Sequence, residues 1–95
     1  MKIGIFGAGH MGGAMIKGWL RSGSIAPEDV VVQGGRGTTA RLLQEELGFK
    51  LATNLTDFRS LDIIFLAVGT PLILPVLTDL HTALEGDIIP IVSVS

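Results

Sequence analysis

The sequence contains no cysteine, which excludes a disulfide framework, a zinc–thiolate site and a cysteine nucleophile. Its formal net charge of −2 gives no electrostatic basis for binding nucleic acid or an anionic membrane surface. The longest fully apolar run covers residues 63–68, far short of the roughly 20 residues that a membrane-spanning helix needs. The absence of cysteine also fits a reducing compartment, and we expect a cytoplasmic protein.

Apolar residues are abundant for so short a chain. They make up 47% of its 95 residues, and the mean hydropathy is +0.57. A chain of this length fits one domain, residues 1–95. A parallel sheet buried on both faces explains the apolar excess, because its strands are continuous apolar runs.

Five predicted strands alternate with helical segments along the chain. The strands are residues 2–6, 30–33, 49–52, 62–68 and 88–94, and the helical segments are residues 11–22, 39–47, 54–60 and 71–84. Thr38 or Thr39 is the predicted cap of the second helix, and Thr70 that of the last, with Pro75 near its first turn. Pro90 is expected to leave one side of the fifth strand unpaired or distorted. The alternation predicts an α/β fold of the Rossmann type, a doubly wound parallel sheet with helices on both faces and right-handed crossovers.

A glycine-rich loop joins the first strand to the first helix: Gly7-Ala8-Gly9-His10-Met11-Gly12. Gly7 permits a tight turn, Gly9 lets the backbone approach a pyrophosphate, and Gly12 permits close packing of helix on strand. The free N–H groups and positive dipole end of the helix both favour an anion. The segment therefore predicts a dinucleotide site, and the alternative is a glycine-rich turn that binds nothing.

The end of the second strand lacks the carboxylate that usually binds the ribose hydroxyls of NAD. Gln33 or Gly34 occupies that position, and no acid follows until Glu45. Arg36 comes next, with Thr38 and Thr39 after it; a guanidinium can bind a phosphate and stack on adenine. We therefore predict NADP(H) rather than NAD(H), the alternative being that Arg36 is a solvated loop charge.

The loop after the fourth strand is the other predicted contact with the dinucleotide. Ligands of open α/β sheets lie beyond the carboxyl ends of the strands, which predicts contacts on the ribose and nicotinamide side. The residues concerned are Ala67, Val68, Gly69, Thr70 and Pro71. The alternative for Thr70 is a helix cap alone. Ser93 and Ser95 are further candidates for contacts with the nicotinamide or the substrate.

Other residues that look reactive have plainer explanations. We expect no catalytic role for His10, because the pyrophosphate is remote from hydride transfer, and we expect His81 to be solvated. No metal-binding cluster or nucleophile–base pair is visible in the sequence, so no metal is predicted.

Several segments together resemble the pyrroline-5-carboxylate reductase family. They are residues 1–15, 27–30, 45–48 and 62–68, and the stretch Ile91-Val92-Ser93 resembles the last strand of that family's cofactor domain. The resemblance covers essentially the whole chain. It implies an NADPH-dependent reduction of the C=N bond of pyrroline-5-carboxylate to L-proline, in proline biosynthesis, with Arg36 matching the arginine that binds the 2′-phosphate.

The chain departs from the family pattern at three places. His10 stands where the family has an asparagine. Gln33-Gly34-Gly35 stands where the family has a Ser-Asn or Ser-Asp pair, and Gly69-Thr70-Pro71 stands where it has a lysine–proline pair. These departures leave open a related family, such as deazaflavin-dependent NADP reductases, prephenate dehydrogenases or β-hydroxyacid dehydrogenases. A dinucleotide-sensing module without chemistry is the third alternative.

The resemblance also implies a second, helical domain for substrate binding and for assembly into a homodimer or larger homo-oligomer. The 95 residues contain no such domain, so the chain is either a piece of a longer protein or a short gene product. We expect it to bind dinucleotide and to turn over little or no imine by itself.

Overall fold

One parallel sheet organises the computed structural model, which describes residues 1–35 and 37–94. Within those residues the sheet has five strands in the spatial order β3-β2-β1-β4-β5. The strands are β1 (Ile3–Phe6), β2 (Val30–Gln33), β3 (Lys50–Leu51), β4 (Ile63–Leu66) and β5 (Ile91–Ser93). The helices are α1 (His10–Arg21), α2 (Thr39–Leu47) and α3 (Thr70–Ala83), and short 3₁₀ turns cover Pro27–Asp29 and Leu55–Phe58.

Strand β1 lies at the centre of the sheet and is buried along its whole length. It pairs residue for residue with β2, from Ile3 opposite Val30, and with β4, from Ile3 opposite Ile63. A strand covered on both faces cannot alternate apolar and polar residues. The apolar runs of the sequence are therefore explained by this buried parallel sheet, as predicted.

Helices α1 and α2 cover one face of the sheet. Trp19 of α1 packs against Phe65 of β4 with ring centroids 5.4 Å apart. The buried residues of this face come from strands, from helix α1 and from the loops before α1 and β3: Ile5, Ala8, Ile16, Val30, Val32 and Phe49. Met15 and Trp19 of α1 are half-buried against this cluster.

Helix α3 and the 3₁₀ turn Leu55–Phe58 cover the opposite face. Phe58 packs on Phe6 with ring centroids 4.7 Å apart. The buried residues of this cluster are Phe6, Val31, Phe58, Leu61, Ile64, Leu66, Leu80 and Leu84. With helices on both faces, the doubly wound α/β fold predicted from the sequence is confirmed.

A capping box fixes the turn that carries Phe58. The Asn54 side chain accepts from the backbone N–H of Thr56 at 2.8 Å, and the Asp57 carboxylate accepts from that of Thr53 at 2.8 Å and that of Asn54 at 3.3 Å. These backbone hydrogen bonds hold the pKa of Asp57 below its usual value of 3.8. The box satisfies donors that the short turn cannot pair internally.

Helix α3 differs from the sequence predictions at two points. Gly69, not Thr70, occupies the N-cap position, and Thr70 is the first helical residue. The Gly69 carbonyl accepts from the N–H of Leu72 at 2.9 Å, so the predicted cap lies one residue too late. Pro75 is the sixth helical residue rather than part of the first turn. Its ring removes one interior hydrogen bond, which α3 tolerates.

The outer strands are shorter than predicted. Strand β5 covers Ile91–Ser93 instead of residues 88–94, because Pro90 has no N–H and offers the ladder only its carbonyl, which accepts from Ile64 at 2.9 Å. Ile88, predicted within the strand, is fully exposed. Strand β3 keeps two of its four predicted residues, and β1 and β4 also lose residues at their ends, whereas β2 has the predicted bounds.

Gly4 provides the space that the Phe58 ring occupies, which gives a prediction about stability. A methyl group on Gly4 would lie 2.6 Å from Phe58 and 2.7 Å from Leu61. We expect Gly4→Ala to destabilise the fold by about 1–3 kcal/mol, as overpacking usually does. Denaturant unfolding followed by circular dichroism measures the effect.

Gly18→Ala is the matched control for this substitution. Gly18 is exposed on α1 with no atom within 4 Å of an added methyl group. Alanine is expected to stabilise the chain there by about 0.5–1 kcal/mol. Equal effects of the two substitutions would contradict the packing of Phe58 under β1.

Candidate functional site

The carboxyl ends of β1, β2 and β4 meet at one edge of the sheet. The N–H of Gly7 donates to the carbonyl of Gln33 at 2.9 Å, and the N–H of Ala67 donates to that of Phe6 at 2.8 Å. The loop after β1 is therefore held by the strands on both sides. We call this place the carboxyl edge; it comprises residues 7–9, 33–35 and 67–69.

Gly7 makes the turn out of β1. Its φ of +100° lies in a region that L side chains rarely adopt. A methyl group at this position would also collide with the carbonyl oxygen of Ala67. Both constraints require glycine here.

Gly12 lets the first turn of α1 rest directly on the loop. A methyl group on Gly12 would collide with the carbonyl oxygen of Gly7 and would lie 3.3 Å from the Cβ of Ala67. Gly12 is buried. The helix therefore starts against the backbone of the loop, with no side chain between them.

Gly9 differs from Gly7 and Gly12, because nothing lies within 4 Å of a methyl group added there. It is the N-cap of α1, and its carbonyl accepts from the N–H of Gly13 at 2.7 Å. No side chain caps the helix, and the first turn contains no acidic residue. The first N–H groups of α1 are thus available to an anion, which the helix dipole favours.

Three clefts adjoin the loop. The loop cleft, about 230 Å³, is lined by Gly7, Ala8, Gly9, Gly35, Gly37, Thr39 and Ala40. The interhelix cleft, about 540 Å³, lies between α1 and α2 and is lined by Ala8, Gly9, His10, Gly13, Ala14, Lys17, Thr39 and Leu43. The apolar cleft, about 320 Å³, lies beside α3 and is lined by Phe6, Gly7, Gln33, Gly34, Gly35, Leu55, Val68, Leu72, Val76 and Asp79.

This arrangement fits a dinucleotide in its donor set and in its shape. The open space at Gly9 and the uncapped N–H groups suit a pyrophosphate. The loop cleft is walled by glycine backbone and by Thr39, which leaves room for a sugar. The apolar cleft offers aliphatic side chains from Val68, Leu72 and Val76, a surface on which a flat aromatic base can pack.

The structure brings most of the predicted site residues to the carboxyl edge and its clefts. Those that line a cleft are Gly7, Ala8, Gly9, His10, Gln33, Gly34 and Val68. Gly12 and Ala67 lie behind the loop, packed against Gly7. Met11 is exposed in the first turn of α1, and Thr38 is the N-cap of α2 without a side-chain hydrogen bond.

Other predicted residues lie further out or beyond the described chain. Thr70 and Pro71 are exposed at the start of α3, after Gly69, which is exposed at the margin of the carboxyl edge, and Ser93 is exposed on β5. Arg36 and Ser95 lie outside the described residues, so their predicted contacts stay predictions.

Several side chains that helices contribute to the clefts were not predicted from the sequence. On α3 these are Leu72, Val76 and Asp79, spaced four and three residues apart, and on α1 the side chain is that of Lys17. Spacing of this kind marks one helix face, but it does not say that the face borders a cleft.

Comparison with known proteins identifies the family. Residues 2–95 match the family model described as NADP oxidoreductase, coenzyme F420-dependent. The chain belongs to this family. The description of this family names NADP, a nicotinamide dinucleotide, which agrees with the loop and the clefts described above.

Individual relatives support a narrower resemblance. The chain is 32% identical over 87 residues to pyrroline-5-carboxylate reductase of Methanosarcina acetivorans and 30% identical to that of Escherichia coli. Each match covers 90% of this chain and 32% of the relative, so the chain spans about a third of these proteins. It resembles the cofactor domain of a pyrroline-5-carboxylate reductase, as predicted.

Solved structures agree on the fold. A pyrroline-5-carboxylate reductase from Coxiella burnetii superimposes with a TM-score of 0.86 at 21% identity, covering 98% of this chain and 34% of that one. Synechocystis arogenate dehydrogenase superimposes with a TM-score of 0.78 at 27% identity, covering 100% and 33%. The first match, at such low identity, supports the fold alone.

Two negative findings apply to residues 1–35 and 37–94. No helix in these segments is long and apolar enough to cross a membrane. The same segments hold no group of three or more histidine, aspartate or glutamate side chains that could bind a metal ion.

The unequal surroundings of Gly9 and Gly12 predict different effects of the same substitution. Gly9→Ala is expected to leave the free energy of unfolding within about 0.5 kcal/mol of wild type, since the methyl group enters open space. We expect it nevertheless to weaken binding of a nicotinamide dinucleotide such as NADPH at least roughly tenfold, because sites of this fold bring the pyrophosphate close to the backbone of the corresponding glycine.

Gly12→Ala is the comparison variant, expected to lower stability by about 1–3 kcal/mol through its collision with Gly7. Denaturant unfolding and fluorescence titration with NADPH separate the two effects. Unchanged NADPH binding by a folded Gly9→Ala variant would refute the proposed ligand position.

Proposed function

We propose that this chain is the NADPH-binding domain of a reductase that converts pyrroline-5-carboxylate to L-proline. The observation that carries the proposal is the loop of residues 7–12, in which Gly7 and Gly12 pack the helix start onto the sheet and Gly9 leaves a space for phosphate. The relatives named above are pyrroline-5-carboxylate reductases. The resemblance therefore supports the proposed substrate, and the loop supports a dinucleotide as the cofactor.

The role of this chain in the reaction is to bind and orient the cofactor. The N–H groups at the start of α1 hold the pyrophosphate, and the apolar cleft holds the adenine ring. Residues 67–71, after β4, border the path toward the nicotinamide. Bound NADPH supplies a hydride to the carbon of the C=N bond, and a proton added at the nitrogen completes the amine.

The choice of NADPH over NADH is part of the proposal. The loop cleft has no carboxylate among its described lining residues, whereas NAD sites of this fold use one for the ribose hydroxyls. Thr38 and Thr39 at the start of α2 offer hydroxyl donors on the same side. Arg36, between them and β2 in sequence, is proposed to bind the 2′-phosphate.

A related dehydrogenase is the second candidate. The Synechocystis arogenate dehydrogenase structure is more similar in sequence to this chain than the Coxiella reductase structure, at 27% against 21% identity. Gly69-Thr70-Pro71 also departs from the family's lysine–proline pair. This candidate shares the cofactor site and differs in substrate. For either candidate we propose a cytoplasmic homo-oligomer.

The relative affinities for NADPH and NADH test the proposed choice of cofactor. We expect NADPH to bind at least roughly tenfold more tightly than NADH, and Arg36→Ala to remove most of that difference, since one charge-assisted phosphate contact is worth about 1.5–3 kcal/mol. Arg21→Ala is the control, because Arg21 lies at the far end of α1 in an exposed pair with Glu46. Tighter NADH binding, or an unchanged NADPH affinity in Arg36→Ala, would contradict the assignment.

Substrate assays test the proposed reaction, the reduction of pyrroline-5-carboxylate to proline. In a protein that contains this chain and has the length of its relatives, we expect NADPH oxidation to depend on pyrroline-5-carboxylate and to yield proline. The 95-residue chain alone should bind NADPH and form little or none, because it spans about a third of those relatives. Loss of NADPH absorbance and chromatography of proline measure the reaction. Faster oxidation of arogenate with NADP⁺ would favour the second candidate.

A further inference from the structure

Lys17 places a positive charge at the interhelix cleft, and the proposed function assigns no role to this charge. Lys17 lines this cleft from α1 and is half-buried. No aspartate or glutamate is among the described lining residues. Within residues 1–35 and 37–94 the recorded ion pair joins Arg21 to Glu46, so no carboxylate neutralises Lys17 there.

The position of Lys17 on α1 favours a side chain that runs along the cleft. Side chains on a helix lean toward its N-terminus, which for Lys17 is the direction of the loop. The residues one turn before it, Gly13 and Ala14, are small and line the same cleft. The apolar stem of a lysine can cover Leu43 on α2 while its ammonium group stays near solvent.

The interhelix cleft continues into the loop cleft, because Ala8, Gly9 and Thr39 line both. The loop cleft reaches Gly35 and Gly37, the residues that lead from β2 to α2. An adenosine ribose in the loop cleft would therefore present a 2′-phosphate on the α2 side, where Thr39 stands between the two spaces.

We propose that Lys17 is a specificity-determining residue that binds the 2′-phosphate of NADPH from α1, with the Thr39 hydroxyl as a second donor. The inference rests on the proposed NADPH site and adds a cation from a different element than Arg36. An ammonium–phosphate hydrogen bond is charge-assisted and stronger than a neutral one. NADH, which lacks this phosphate, gains nothing from Lys17.

Binding measurements on three variants test this role. Lys17→Met keeps the stem and removes the charge, Lys17→Arg keeps the charge, and Lys2→Met removes a lysine at the opposite edge of the sheet, before β1. The probes are NADPH, NADH, 2′,5′-ADP and ADP, titrated against the full chain at low salt. Denaturant unfolding checks that the variants keep wild-type stability.

We expect Lys17→Met to weaken NADPH and 2′,5′-ADP about tenfold and to change NADH and ADP less than about twofold. Lys17→Arg should restore most of the loss, and Lys2→Met should behave as wild type. The loss should shrink as salt screens the charge.

Three results would overturn the inference. An unchanged preference for NADPH in Lys17→Met would make Lys17 a solvated surface charge. Equal weakening of NADPH and NADH would place its charge at the pyrophosphate instead. Both results leave the proposed function intact, whereas failure of the wild-type chain to bind any of the four probes would refute the proposed function together with the inference.

Discussion

The contact between Gly12 and the carbonyl of Gly7 is the constraint on which the site depends. Because no side chain separates them, α1 starts directly against the loop after β1, and its first N–H groups come to the carboxyl edge. The same loop is tied to β2 by the hydrogen bond from Gly7 to Gln33, and it packs on Ala67 after β4. Three strands and one helix thus determine the position of a few backbone N–H groups.

The loop and the central strands were predictable from the sequence because their causes are local. A positive φ or a close backbone contact favours glycine, so the spacing of Gly7 and Gly12 by itself predicts a tight loop from β1 into α1. Strand β2 has the predicted bounds because apolar residues and a following glycine pair delimit it. Helices α1 and α2 end shortly before Gly23 and Gly48, and both glycines have the positive φ that commonly ends a helix.

The remaining differences arise from interactions that a sequence pattern does not contain. The length of β5 depends on which residues of β4 it meets, and that register begins only after Pro90. Thr70 is a good capping residue by type, yet the chain enters α3 one residue earlier, with Gly69 as N-cap. Likewise, the clefts depend on how far each helix is rotated about its axis. The sequence shows Lys17 or Val76 on a helix face but not what that face adjoins.

In the proposed site, affinity for a dinucleotide and selectivity between dinucleotides have separate physical origins. The proposed pyrophosphate site is backbone held in place by Gly7 and Gly12, and a side chain added at either of these two glycines would disturb the fold as well as the ligand. The proposed contacts to the 2′-phosphate are side chains at the cleft margins, such as Lys17 and Thr39, which belong to neither core cluster. Such positions can change at little cost in stability. One scaffold can therefore keep its cofactor class while its preference within that class is set by a few marginal side chains.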